Sequence, residues 1–337
     1  MNILFLGTKN GTSLDRANAY RRLGHFVDHI DLREMLPKTV WVDRIIWHIG
    51  GDWLSSWLPR RVRKKIGDRR FELCHVDGGE LVTPDLIAVL RQNAGTIVNY
   101  NIDDPLGSRD KARWRAYRQS VPFYDLCVVM RPQNMAEARS LGAKNVLHVF
   151  RSADEISHAP RCLTTQDHNR WDSEVLFLGT WFPERGPFLL ELVRRGIPLN
   201  IRGDNWSRAK EWSYLEPYWK GSGIHGDDYA KAIQCAKVNL GLLSKGNRDL
   251  HTTRSLEVPA LGSLLCAERT TEHLGMYQEG KEALFWGDVD ECAAMCRYAL
   301  EDEQRRLTIA AAGRERIVAN GNYNEQAIKF ILERLFL

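Results

Sequence analysis

The chain writes the same opening twice. Ile3-Leu4-Phe5-Leu6-Gly7-Thr8 and Val175-Leu176-Phe177-Leu178-Gly179-Thr180 each run four apolar residues into a glycine and a threonine. Four consecutive apolar residues read as a strand buried on both faces, and the glycine after them as a tight turn into a helix. Two such openings, one at the head of each half of a 337-residue chain, confine it to a pair of similarly built α/β units. The length agrees, because roughly 100 to 200 residues make one domain.

Between these openings, short apolar runs alternate with amphipathic stretches, the pattern of parallel strands joined by helices. In the first half, strands are predicted at residues 3–6, 26–30, 44–48, 73–76, 96–100, 126–129 and 146–149, with helices at 15–23, 85–92 and 133–141. The polar stretch 152–173 has little periodicity and reads as a linker. The second half is predicted to carry strands at 175–180, 199–202, 238–242 and 263–266. Its helices are expected at 187–195, 229–235, from about 253, at 289–299 and at 303–319. A last apolar-periodic stretch, 325–337, is placed to cross back onto the first domain. The expected domains are therefore 1–155 and 170–320, followed by the helical segment 321–337.

Composition narrows the function class. Hydrophobic residues make up 44% and charged residues 27%, which excludes disordered, collagenous and coiled-coil chains. Lys and Arg number 47 against 43 Asp and Glu, a net charge of +4 that is too even for a nucleic-acid binder, so any anion site is local. The seven cysteines are odd in number and scattered, as in a reduced, cytoplasmic protein. Cys292 and Cys296 stand four apart on a predicted helix and could share a metal, but no second Cys or His pair stands near them in sequence. The chain opens directly on a strand, without a basic and apolar leader. No apolar run approaches the roughly 18 residues of a membrane span.

The candidate chemistry lies where strands run into helices. The loop Gly7-Thr8-Lys9-Asn10-Gly11-Thr12-Ser13 turns backbone N–H groups toward an anion or polar ligand, or is simply a turn under a helix cap. It matches neither the dinucleotide fingerprint nor the P-loop. In the second half, Gly179-Thr180-Trp181-Phe182-Pro183-Glu184-Arg185-Gly186 places a guanidinium just before a helix, which suits a diphosphate. Further on, Lys245, Thr252, Thr253 and Arg254 supply hydroxyls and cations at another predicted helix start, with Glu257 one turn inside, facing a ribose. Asp249 is placed in the loop before it, facing the sugar. Asp288-Val289-Asp290 has the form of a metal motif, but its position before a helix favours capping, and Asp227-Asp228 reads the same way.

The block 238–319, with Asn239-Leu240-Gly241, Thr252-Thr253-Arg254-Ser255-Leu256-Glu257-Val258-Pro259-Ala260-Leu261-Gly262, Glu282 and Phe285, resembles the C-terminal domain of the CgeB spore-maturation family, a GT-B branch related to retaining glycosyltransferase family 4. Asn101-Ile102-Asp103-Asp104-Pro105, Tyr124-Asp125-Leu126 and Gly142-Ala143 are similar to its N-terminal half. The resemblance implies an α/β GT-B fold, two Rossmann-like domains facing a central cleft. It implies a nucleoside diphosphate sugar bound by Arg185, Thr252, Thr253, Arg254 and Glu257, with Gly203, Asn205, Trp206 and His225 in the loops flanking the base; Thr180 and Lys245, in the same loops as Arg185 and Thr252, are the further donor-binding candidates. Asp249 falls where the related family carries the first Glu of an acidic pair. GT-B enzymes need no metal, since side-chain cations and a helix dipole stabilise the leaving diphosphate.

On the acceptor side, Gly7, Lys9, Asn10, Gly11 and Arg131 are the expected binding residues. Asp103 or Asp104 would take the acceptor proton in an inverting reaction, or cap the turn before Pro105; a retaining reaction would need no such base. The acceptor is a glycan, a lipid-linked molecule, a protein or a small molecule. The cationic run Arg60-Arg61-Val62-Arg63-Lys64-Lys65 with Arg69-Arg70, beside Trp53 and Trp57, is either a solvated helix face or a peripheral contact with the inner face of the membrane. A nucleotide-sugar epimerase or hydrolase of the same fold, or a non-catalytic sugar-nucleotide or glycan-binding protein, would carry the same motifs.

Overall fold

The computed structural model describes residues 1–336 and divides into two compact units. The first comprises Met1–Arg151, Gly246–Arg248 and the chain from Asn324 onward; the second comprises Ser152–Lys245 and Asp249–Tyr323.

In the first unit six parallel strands, β1 Asn2–Leu6, β2 Phe26–Ile30, β3 Phe71–Asp77, β4 Ala94–Asn101, β5 Leu126–Val129 and β6 Val146–His148, lie in the order β2-β1-β3-β4-β5-β6. The apolar run at residues 3–6 is buried on both faces, as a central parallel strand requires. Leu4 and Leu6 enter one core with Cys74, Val76 and Ile97, covered by the helices Leu58–Ile66 and Pro84–Asn93. Ile3 and Phe5 enter the opposite core with Leu73 and Val98. That second face is covered by the helix Gly11–Arg22 through Ala17 and Tyr20, and by the helix Asn324–Phe336 through Ile328 and Ile331. Arg22 joins these two helices through Glu325 at 2.6 Å. Leu337, the end of the stretch predicted at 325–337, lies outside the described residues.

In the second unit five parallel strands, β7 Ser173–Leu178, β8 Leu199–Arg202, β9 Ala236–Gly241, β10 Leu265–Glu268 and β11 Leu284–Trp286, take the order β11-β10-β9-β7-β8. Val175, Phe177, Val238 and Leu240 face one core, which the helices Arg185–Arg194 and Val289–Glu301 cover. Leu265, Ala267 and Phe285 face the other, with Leu256 and Val258 of the helix Arg254–Ala260.

The strand Leu284–Trp286 is not expected from the sequence, and two expected stretches differ in kind. Residues 44–48, expected as a strand, belong to the helix Val40–Ile49. The Thr39 hydroxyl accepts from the Val42 amide and Gly50, at φ 95°, stops the helix, while Val42 and Ile46, four apart, reach the core. The stretch 152–173 is not all linker: it contains the helix Thr165–Trp171, started by a reciprocal capping box between Thr164 and Asp167.

Candidate functional site

In an open parallel sheet, ligands bind outside the carboxyl ends of the strands where the strand order reverses. In the second unit the chain leaves β7 to one side for β8 and returns on the other side as β9, so the reversal lies between β7 and β9. Arg185 spans that point. Its Nη1 donates to the Thr180 carbonyl after β7 at 2.7 Å and its Nη2 donates to the Leu242 carbonyl after β9 at 3.1 Å. The guanidinium lies 4.5 Å over the Phe182 ring, so its plane is fixed by packing as well as by hydrogen bonds. The turn beneath it is built from two close-packed glycines. Gly203 sits at φ +144°, and a Cβ there would stand 2.0 Å from the Gly179 carbonyl oxygen. Only glycine permits that approach.

Arg254 opens the helix Arg254–Ala260 and donates from Nε to the Leu178 carbonyl at 3.2 Å, at the same strand end. Its Nη1 reaches the Thr253 hydroxyl at 3.1 Å. Lys245 pairs with Glu268, and its amide donates to Glu184 at 3.2 Å. Lys245, Glu184, Arg185, Glu268 and Trp286 line a cavity of about 320 Å³. Thr180, Thr252 and Thr253 are half-buried. Arg185, Lys245 and Arg254 thus gather around the carboxyl ends of β7, β9 and β10, although the cations stand far apart in sequence.

Glu257 is 4% exposed. The Tyr229 hydroxyl donates to its Oε2. His158 accepts the Asp154 amide hydrogen on Nδ1 at 2.8 Å, which leaves the ring proton on Nε2, 3.5 Å from Glu257 Oε1. One carboxylate oxygen is therefore taken by the Tyr229 hydroxyl and the other faces the His158 ring at 3.5 Å, and burial pushes the Tyr229 phenol well above its ordinary pKa. Asp249 is 8% exposed, with its amide directed to the Ser244 carbonyl at 3.3 Å.

The expected base-flanking residues separate. Asn205, at φ 64°, and His225 are exposed, and Gly203 is buried in the turn. Trp206 is 1% exposed; its indole packs on Phe177 and donates to the Gly179 carbonyl at 3.0 Å. A ring so enclosed has no face for a base, so the expectation for Trp206 is corrected to a core and turn-holding role. The Asp288 carboxylate accepts from the Glu291 amide at 2.9 Å, the capping role expected for it. Asp227 and Asp228 are not caps. They lie in the first turn of the helix Gly226–Cys235 and pair with Arg161 and Arg170. The fold also brings Cys266 of β10 to Cys292 and Cys296, with the three thiol sulfurs within 4.8 Å of one another in the core, a proximity invisible in the spacing.

In the first unit the strand order reverses between β1 and β3. A cavity of about 330 Å³ opens there, lined by Gly7, Asn10, Gly11, Arg16, Asp77, Glu80, Asp103 and Arg113 among others. Lys9, beside it, is drawn away by Glu34 at 2.6 Å, and its amide donates to Asp31 at 3.2 Å. Arg131 is 2% exposed and donates to three carbonyls, Asn247 at 2.6 Å, Asp103 at 2.7 Å and Ile102 at 3.3 Å; it holds the strand-end loop.

The two candidate bases part company. Asp104 is 6% exposed, accepts from the Gly107 amide at 3.0 Å and from Asn134 at 2.9 Å, and pairs with Arg248 at 2.7 Å. Burial pushes its carboxyl pKa up, but the hydrogen bonds from Arg248 and Asn134 outweigh it and hold the group below the usual range. Asp104 is a structural carboxylate, buried and with its oxygens already taken by Gly107, Asn134 and Arg248. Asp103 is 42% exposed at its side chain, 3.8 Å from Arg113, and lines the cavity.

Sequence reasoning missed the polar wall of this cavity. Arg16 donates from Nε and Nη2 to Asp77, with Nη2 at 3.0 and 3.1 Å from the two carboxylate oxygens, and Arg33 and Arg113 both reach Glu80 at 3.1 Å. A signal existed: Asp77-Gly78-Gly79-Glu80 ends a predicted strand as Asp103 nearly does. Behind the wall, His75 is fully enclosed against Tyr20, Nδ1 to hydroxyl at 3.0 Å. Burial pushes its pKa down to about 4. The unfolded histidine, near 6.5, binds the proton first, so the stability contributed by neutral His75 is present above pH 6.5 and is lost as pH falls toward 4. Urea unfolding is expected to show a loss of about 2 to 3 kcal/mol across that window, largely removed in His75→Gln. An unchanged slope in the variant would refute the assignment.

Residues 185–332 match the family model described as glycosyl transferase-like. No curated protein sequence matches the chain. Among solved structures, the chain is similar to sucrose-phosphate synthase from Thermosynechococcus elongatus at a TM-score of 0.70 and 15% identity, covering 100% of this chain and 98% of that one. It is similar to the Anabaena protein HepE in complex with UDP-glucose at 0.64 and 14%, covering 99% and 100%. It is similar to the trehalose-6-phosphate synthase OtsA at 0.65 and 12%, covering 100% and 99%. These likenesses span both units and show the fold. The chain has the GT-B fold, with the match to the glycosyl transferase-like model confined to residues 185–332.

Proposed function

We propose that the protein transfers a sugar from a nucleoside diphosphate sugar held by the second unit to an acceptor held by the first, without a metal. The observation that carries this reading is Arg185, whose guanidinium bridges the carbonyls after β7 and β9 at the strand-order reversal, with Arg254 and Lys245 beside it. When the bond from the anomeric carbon to the diphosphate oxygen breaks, negative charge develops on that oxygen, and fixed cations stabilise it without reorganising. HepE, solved with UDP-glucose, supports a nucleotide-sugar donor for the same fold.

On the acceptor side, Arg16 with Asp77 and Arg33 and Arg113 with Glu80 present paired carboxylates and guanidiniums, which suits a hydroxyl-rich acceptor. In an inverting reaction Asp103 would accept the acceptor hydroxyl proton as the new glycosidic bond forms. In a retaining one the leaving phosphate takes it. The seven free cysteines support a reducing, cytoplasmic compartment, and the cationic run 60–70 supports peripheral contact with the inner face of the membrane.

Calorimetry against a panel of nucleoside diphosphates and their sugars tests the donor reading; no binding across the panel would refute it. With the donor identified, acceptor-dependent turnover identifies the transferase. Acceptor-independent consumption points to an epimerase or hydrolase, and binding without turnover to a binding protein. Asp103→Asn is expected to lower turnover about 10²- to 10⁴-fold if Asp103 is the base. Unchanged turnover would assign the proton to the leaving phosphate.

A further inference from the structure

We propose that the helix Val40–Ile49 is a membrane-docking element, which lays its outer apolar face on an anionic lipid surface while the cations of the helix Leu58–Ile66 pair with the headgroups. The proposal rests on the peripheral contact read from the cationic run 60–70 and is independent of the sugar-transfer chemistry. Among the described residues no helix is long and apolar enough to cross a membrane, so the contact is peripheral.

An ordinary surface helix turns its apolar side inward. This one carries apolar residues on both sides. Val42 and Ile46 face the core, whereas Trp41, Ile45 and Ile49, spaced four apart along the adjoining side, are 70%, 40% and 51% exposed. Trp53, in the turn that follows, is 49% exposed, while Trp47 turns to another side of the helix, where the Arg113 guanidinium lies 4.5 Å over its ring. Burying such side chains is the default in water, and a contiguous exposed set marks an interaction surface. Tryptophan is the side chain favoured where one end of a contact is apolar and the other wet, as at the headgroup boundary.

The neighbouring helix Leu58–Ile66 selects the partner. Leu58, Val62 and Ile66 enter the same core as Ile46, so both helices lie on one surface of the unit. Its outward positions are Arg60, Arg61, Arg63, Lys64 and Lys65, all exposed. In the run 60–70, Asp68 is the one acid, and among the described residues Arg69 alone meets a carboxylate, that of Asp28. A second copy of the chain is a poor occupant, because a two-fold interface would set this cationic patch against itself. An anionic bilayer satisfies both features: it takes the apolar stripe into the acyl boundary and neutralises the cations. The docked helix starts beside the acceptor-side residues, since Thr39, Val40 and Asp43 line a cavity with Asn10, Asp31 and Arg33.

Cosedimentation of the full chain with vesicles of phosphatidylcholine alone, and of phosphatidylcholine with phosphatidylglycerol, tests this. Binding to the anionic vesicles, weakened in about 0.5 M salt, is expected. Trp41→Ser with Ile45→Ser should weaken it about tenfold or more. Arg60→Gln with Lys64→Gln should weaken it about 25-fold, at about fivefold per cation. All four positions are exposed, and an unchanged thermal midpoint checks that the variants fold. Absence of binding to anionic vesicles overturns the proposal. So does binding that survives the Trp41 and Ile45 changes, or a dimer in light scattering that Trp41→Ser abolishes while vesicles are ignored.

Discussion

Arg185→Ala is expected to lower kcat/KM for the donor about a thousandfold. The magnitude follows from two contributions. Removing one fixed donor from a site where transition-state charge develops costs roughly 3 to 4 kcal/mol, and the effect falls on kcat because the charge appears only as the bond breaks. In addition the guanidinium ties the Thr180 and Leu242 carbonyls together, so its loss loosens the loops after β7 and β9 that shape the site. Arg185→Lys separates the two. A lysine keeps the charge but cannot reach both carbonyls and the diphosphate with one planar fork, so it should recover only part of the loss. Steady-state kinetics on the donor, with a thermal midpoint to check folding, measures this. A folded Arg185→Ala variant within about threefold of the parent would remove Arg185 from the donor site and, with it, the central support for the proposed reaction.

How much of this was legible in the sequence depended on whether the information was local. The two strand-glycine-threonine openings predict the two parallel sheets because a strand buried on both faces must be apolar at every position, a signal that survives without knowledge of its neighbours. The stretch 44–48 misleads for the complementary reason: Ile45, Ile46 and Trp47 read as a buried run, but Ile45 and Trp47 are exposed, and only the Thr39 cap and the Gly50 stop disclose the helix. The position of Arg185 at a helix start after a strand-end glycine was legible because both signals are adjacent in sequence, whereas its buried bridge to the Leu242 carbonyl, 57 residues away, was not. Trp206 was misassigned, and of the two uses open to Asp104, base or turn cap, the structure favours holding the turn, because the partners that decide both cases are distant in sequence. Arg248 lies 144 residues from Asp104, and the Gly179 carbonyl lies 27 residues from Trp206. Spacing carries no trace of either pairing. The wall formed by Arg16 and Asp77 is the same case, with 61 residues between its members.

That wall provides the second large effect. Both side chains of the Arg16–Asp77 pair are 5% exposed, with the guanidinium also 4.6 Å over the Tyr100 ring. A buried pair gains little over an apolar replacement, but breaking it from one side strands a charge that is only 5% exposed at the cavity wall. Arg16→Met is therefore expected to destabilise the first unit by about 3 to 5 kcal/mol, whereas Arg16→Met with Asp77→Leu should cost less than about 2 kcal/mol. Urea unfolding of the two single variants and the double variant gives the coupling directly. The double variant also separates stability from function. It keeps the volume of the wall but removes the carboxylate and guanidinium from the 330 Å³ cavity, so under the proposed reaction the acceptor KM should rise while nucleotide affinity, assigned there to the second unit, stays unchanged. If Arg16→Met alone costs less than about 1 kcal/mol, water already reaches Asp77, and the cavity wall is not the pre-organised surface that recognition of a hydroxyl-rich acceptor needs.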